Sequence, residues 1–215
     1  MDTSPIPDRL SLSDQVKAAS FQVNWRRIAS RDLYRKPWMQ ITSNDYEMPG
    51  GGVAEDYIQV ASAGYVEILP FDPNNGNVVL IGQYHWGTEK VLLKLPAGKI
   101  GKGKTPLQAA ETELREETGS TSENIVLLKS GYEIGMWYNA MVHYYLAYTD
   151  AKLYAAQKLE RTEQIAVITA PIGDLLRAIV ENDPIAEDTA LCFVTLLAIQ
   201  KGHIDKKFLD LQKVD

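Results

Sequence analysis

The sequence predicts an α/β fold: an α/β/α sandwich around a mixed β-sheet, with a β-rich N-terminal arm. Three observations point there. Short β-like runs crowd the first half of the 215-residue chain. One well-capped amphipathic helix then interrupts them. Two apolar helical segments follow the last β-like run, so helices are available for both faces of a sheet.

The elements follow in order. Residues 1 to about 35 are polar and mixed, and read as irregular or weakly helical. β-like runs then occupy residues 38–42, 56–61, 65–71, 78–84 and 91–95. Pro49-Gly50-Gly51-Gly52 separates the first two runs, and Pro73-Asn74-Asn75-Gly76-Asn77 the third and fourth. So short a turn favours antiparallel pairing, because parallel strands need a long crossover. A helix is predicted over 106–118. Thr105 suits the N-cap, Pro106 the first helical position, Gln108 the far corner of a capping box, and Gly119 the stop. Runs at 125–128, 142–148 and 165–169 read as strands, and 172–180 and 186–199 as helices. Residues 1–55 are expected to form an N-terminal segment that dimerises, and 56–215 the main domain.

Composition narrows the function. The chain is 45% hydrophobic and 23% charged, with a formal charge of -6 and a sequence pI near 5.2. Such a balance argues against a general nucleic-acid or anionic-lipid surface. No apolar stretch reaches the ~18 residues of a membrane span. Pro5, Pro7 and Asp8 stand where a signal peptide needs an apolar core. The single Cys192 permits no intramolecular disulfide and reads as a structural thiol. A cytoplasmic location is expected.

The chemistry concentrates in the predicted helix over 106–118. At about 100° per residue, Leu107, Ala110 and Leu114 form one apolar face. Glu113, Glu116 and Glu117, at i, i+3 and i+4, project together from an adjacent face. Like charges at this spacing repel, and the last turn of a helix favours cations. Carboxylates gathered there suit a hard divalent cation with oxygen ligands. A solvated acidic face, relieved by a Glu111–Arg115 pair, is the competing reading.

The segment from Gly98 to Ser120 resembles the Nudix box: a glycine, five residues, a glutamate, seven residues, then Arg-Glu-apolar-x-Glu-Glu-x-Gly-apolar. Gly98, Glu113, Leu114, Glu116, Glu117 and Gly119 fall in place. Leu95-Pro96-Ala97-Gly98-Lys99, Val79 to Tyr84 and Glu163 to Val167 are similar to the ADP-ribose pyrophosphatase branch. In all, the resemblance runs from about residue 55 to 200. The chain departs from the pattern at Lys104 (box glutamate), Thr112 (box arginine) and Ser120 (final apolar position). His85 stands where an arginine is usual, and Lys94 where an acidic residue is usual.

The resemblance implies metal-dependent hydrolysis of the diphosphate in a nucleoside diphosphate derivative, such as ADP-ribose or a nucleotide sugar. It implies Mg2+, with Mn2+ as a substitute, on Glu113, Glu116, Glu117 and the Ala97 carbonyl, with Glu116 also counted among the catalytic groups. Glu163, with Glu160 second, is the implied loop carboxylate that assists catalysis. Trp137, Tyr138 and Asn139 lie in the loop that the resemblance brings to the substrate, Asn139 standing where a glutamate is common, and His85 and Trp86, which follow a strand end, are expected to face it as well. A homodimer is expected, with Trp25, Tyr34 and Trp38 supplying apolar surface.

Two alternatives remain at this point. A Nudix-fold binding or regulatory protein with weak turnover would suit Lys104 and Thr112. Gly98 to Thr105 also satisfies G-x-x-x-x-G-K-[ST], the P-loop pattern. A P-loop, however, opens a parallel core, and it leaves the glutamates unexplained. No two of His85, His143 and His203 are spaced like a zinc site.

Overall fold

The computed structural model describes residues 12–14, 24–150, 156–186 and 188–209. The signal-peptide question falls on residues outside these. The chain forms two compact units, Met1–Ala61 and Ser62–Asp215.

In the first unit, β1 (Arg26–Lys36) pairs antiparallel with β2 (Met39–Glu47), and β3 (Val53–Ser62) completes a three-stranded sheet in the order β1-β2-β3. The irregular reading therefore fails for the last part of residues 1–35. The alternation of β1 is masked because both its faces are largely exposed and two register shifts, at Arg27/Ala29 and Asp32/Tyr34, break its period. Pairing with β2, not local pattern, makes it a strand. The Arg31 guanidinium bridges Asp45 at 2.7 Å and Asp56 at 2.8 Å across the sheet. Gly51 and Gly52 take φ of 85° and 89° in the turn before β3, a region that costs glycine little.

The second unit is built on a seven-stranded mixed sheet. Its path is β10-β5-β4-β9-β8, with β6 on β5 and β7 on β4. The strands are β4 (Tyr65–Phe71), β5 (Asn77–His85), β6 (Lys90–Lys94), β7 (Ala97–Lys99), β8 (Asn124–Tyr132), β9 (Met141–Tyr148) and β10 (Ile165–Pro171). β4 and β9 run parallel, and the other pairs run antiparallel. β4 carries the layering by its period of two. Val66 and Ile68 pack with Ala109, Ala110 and Leu114 of helix α1 (Pro106–Thr118). Leu69 and Phe71 join the opposite core, with α2 (Ile172–Val180) and α3 (Thr189–Gln200). Helices thus cover both faces, as the α/β/α reading requires. Each fully buried Ile or Leu here contributes about 1.5–3 kcal/mol.

α1 begins and ends where its capping residues indicate. The Thr105 side chain accepts from the Gln108 amide, and the Gln108 side chain accepts from the Thr105 amide. Gly119 closes the helix at φ 70° and donates to the Arg115 carbonyl. The inward face keeps Ala110 and Leu114 of the expected stripe but not Leu107. Leu107 is 41% exposed, while Ala109, Ala110, Leu114 and Glu117 are buried. The stripe follows 110, 114 and 117, because Leu107 lies in the first turn, beyond the edge of the contact. No Glu111–Arg115 ion pair within 4.0 Å forms among the described residues. The last helix starts at Thr189, later than predicted. Pro184–Ala186 is a 3-10 turn, and Asp188 is the N-cap, accepting from the Leu191 amide at 2.9 Å.

Candidate active site

The glutamates of α1 meet the sheet at β7. This three-residue strand follows Leu95-Pro96 and pairs antiparallel with β4, Ala97 opposite Glu67 and Gly98 opposite Val66. The Ala97 amide donates to Glu117 Oε2 at 2.8 Å, which fixes a carboxylate that is 2% exposed. Glu113 lies over the next residue. A Cβ at Gly98 would sit 2.1 Å from Glu113 Cδ, so only glycine leaves room for that carboxyl group. Two of the three helix glutamates therefore abut Ala97 and Gly98.

A loop closes the other side. The Gln157 side chain donates to the Glu117 carbonyl at 2.6 Å, and the Lys158 amide donates to the Glu116 carbonyl at 2.8 Å. These bonds satisfy two of the carbonyls that a helix C-terminus leaves open. They also bring Glu160 and Glu163 to the helix end. Glu163 Oε2 accepts from the Glu160 amide at 2.8 Å, and the Glu163 amide donates to the Glu160 carbonyl at 3.0 Å.

Electrostatics register the crowding. Burial, with the charges of Glu116, Glu163 and Glu160, pushes the Glu113 carboxyl up to about 7. Burial raises Glu117 to about 7 as well, with Glu113 and Glu163 adding to it. Lys94 and the Ala97 amide pull the other way. Among the described residues no lysine or arginine forms an ion pair within 4.0 Å of Glu113, Glu116 or Glu117. Nor do three His, Cys, Asp or Glu side chains converge as a ready-made metal cluster among them. The donor chemistry, oxygen throughout, and the room that Gly98 leaves for the Glu113 carboxyl fit a hard divalent cation.

The predicted substrate contacts divide. His85 closes β5 and Trp86 follows it. Both line a cavity of about 660 Å3 with Lys94 and Arg161. Trp86 is 78% exposed and packs edge-on against Tyr84, ring centroids 5.3 Å apart. Tyr138 lines a smaller cavity of about 270 Å3 together with Ala97 and Gly98, and its hydroxyl shares a 2.7 Å hydrogen bond with Ser62. Trp137 and Asn139 are exposed and line neither cavity, because the 135–139 turn presents only Tyr138 inward. His143 is a satisfied strand residue, its Nδ1 2.8 Å from Ser130 Oγ.

Two residues of the site escape a reading of motifs. Lys94 lines both cavities. Glu67 lines the smaller one, and its carboxyl is pushed up to about 8 by burial and by Asp188 and Glu133. Its signal was a lone charge in the middle of the apolar strand β4. The departures at Lys104 and Thr112 prove to be neighbours. Lys104 Nζ donates to Thr112 Oγ1 at 3.2 Å, so this lysine lies along the helix and not within the glycine loop. That geometry, with β7 antiparallel to β4, speaks against the P-loop reading.

A family model described as NUDIX domain matches residues 61–187. The chain is 26% identical over 165 residues to an ADP-ribose pyrophosphatase of Bacillus subtilis (strain 168), covering 77% of this chain and 88% of that one. It is 28% identical over 157 residues to a methanol dehydrogenase activator of Bacillus methanolicus, covering 73% and 84% respectively. Among solved structures, one titled "Crystal structure of ADP compounds hydrolase" superimposes with a TM-score of 0.69 at 19% identity. The match covers 83% of this chain and 95% of that one.

Proposed function

Since the chain belongs to the Nudix family and is a Nudix pyrophosphatase, we propose that it hydrolyses the diphosphate of ADP-ribose or a closely related nucleotide sugar with Mg2+. One observation carries the reading. Glu113 and Glu117 abut Ala97 and Gly98, the Glu160–Glu163 loop faces them, and no described basic side chain pairs with them. Glu113, Glu116 and Glu117, with the Ala97 carbonyl, would hold the ion, and Mn2+ would substitute for it. When bound, the ion would supply neutralisation of the diphosphate charge. Glu163 takes the proton from the attacking water, and its own orientation is set by the Glu160 amide. Water adds at one phosphorus, the bridging P–O bond breaks, and the bridging oxygen leaves on the other phosphate. ADP-ribose thus yields AMP and ribose 5-phosphate. Tyr138 contacts the substrate beside Ala97, and His85 and Trp86 contact it from the larger cavity.

A panel of diphosphate compounds with Mg2+, read as phosphate released by a coupled phosphatase, tests the substrate. ADP-ribose is expected to give AMP and ribose 5-phosphate in equal amounts. Cleavage of a dinucleoside polyphosphate in its place would move the chain to another Nudix substrate. No cleavage of any member would make it a binding or regulatory protein.

The N-terminal unit is the dimerisation element of this proposal. Trp25, Ile28, Leu33, Tyr34 and Trp38 are all exposed on or beside β1, an apolar surface of the kind that a second copy covers. Light scattering should give about twice the 24.0 kDa chain mass. A mass of one chain would end the proposal.

A further inference from the structure

We infer that Lys94 is the cation that grips the substrate's diphosphate. This rests on the diphosphate reading above, but not on which nucleotide is cleaved. Lys94 is the last residue of β6, opposite Ile81 in the β5–β6 register. Its Nζ donates to Gln83 Oε1 at 3.1 Å, a neutral acceptor. No ion pair within 4.0 Å forms at Lys94 among the described residues. A half-buried ammonium satisfied only by an amide keeps two N–H donors for a ligand. Gln83 aims it without neutralising it.

Its place in the site is particular. Lys94 is common to the cavity that holds Ala97 and Gly98 and to the larger one that holds His85 and Trp86. Lys99 lines only the first of these and Arg161 only the second. The Lys94 charge is felt on each side: it pulls the Glu117 and Glu67 carboxyls down, and with burial it pulls the His85 imidazole down. A diphosphate is the part of a nucleotide sugar that joins two organic groups. A compact point charge at the junction of two cavities, next to the carboxylate cradle, matches that part.

The geometry makes two effects run in opposite directions. Removing Lys94 deletes a partner for the phosphates, so substrate binding weakens. It also deletes a positive charge beside Glu117, so a divalent cation there meets less repulsion. A lysine that only braced the sheet would loosen both together. The test compares Lys94→Gln and Lys94→Arg with the full-length wild type. KM for ADP-ribose, and the Kd of inorganic pyrophosphate and of the α,β-methylene analogue of ADP-ribose by calorimetry, should rise about 10- to 100-fold in Lys94→Gln. The turnover number should change less than KM. Lys94→Arg should return KM to within about fivefold of wild type, because it keeps the charge. Mn2+ affinity, from the EPR signal of the free ion, should be unchanged or tighter in Lys94→Gln. Wild-type affinity for pyrophosphate and analogue in Lys94→Gln overturns the inference, and so does Mn2+ binding that weakens in parallel. If the wild type leaves ADP-ribose intact but pyrophosphate binding still falls in Lys94→Gln, the nucleotide is wrong and Lys94 stands.

Discussion

Glu117→Gln is expected to lose at least about a thousandfold in turnover with Mg2+, while folding normally. The amide oxygen of glutamine can still accept the 2.8 Å bond from the Ala97 amide, so the buried end of the side chain keeps its partner. What disappears is a negative charge at a position where burial already opposes it. The same change should therefore raise stability when metal is absent. Glu117 is held up to about 7, against an ordinary 4.5, so at pH 8 its ionised form costs the fold free energy that glutamine does not. The gain should be about 1–3 kcal/mol in EDTA, read from chemical denaturation. Adding Mg2+ should stabilise the wild type and leave Glu117→Gln unmoved. Wild-type turnover in the variant would remove Glu117 from the metal site.

Metal-free wild type should lose stability steadily as pH rises from about 5 to about 8. Glu67, Glu113 and Glu117 stand at about 8, about 7 and about 7 in the folded chain, each above its usual 4.5. Across that window the folded state holds more protons than the unfolded one. The stability tied to these groups is thus complete below 4.5 and is lost as pH passes through 7 and 8. The loss should reach about 3 kcal/mol or more, since three half-buried or buried carboxyls contribute and their charges interact. Mg2+ should flatten the part that belongs to Glu113 and Glu117. Glu67→Gln should remove the part that persists to the highest pH. Denaturation midpoints in EDTA that stay level or climb between pH 5 and 8 would contradict this account.

Much of this was legible before any coordinates, and for local reasons. The ends of α1 are written in Thr105, Gln108 and Gly119, which act on backbone groups within a few residues. β4 and α2 run between the predicted residues because their apolar side chains recur over the whole length of each. What stayed hidden depends on distant partners. β1 is a strand through its pairing with β2, against a sequence that alternates poorly. β7 spans three residues, too few for any period, and exists through its bonds to β4. Leu107 was misplaced because spacing sets it within about 20° of Leu114 on the helix but does not say how far along the axis the contact with the sheet reaches. The helix glutamates were visible as a motif. Lys94 was visible only as a departure from one, and its place between two cavities needed the fold.

The two hydrogen bonds from Gln157 and Lys158 reach the peptide carbonyls of Glu117 and Glu116 and ignore their side chains. The spacing between the loop's acids and the helix's acids is therefore set by bonds to the helix main chain, one from the Lys158 amide and one from the Gln157 side chain. Exchanging any of these carboxylates for an amide leaves that ruler intact, so such variants report on charge alone. Fraying the last turn of α1, by contrast, would displace both sets of acids at once. A proline at Lys158, which removes the amide that meets Glu116, tests alignment separately from ionisation.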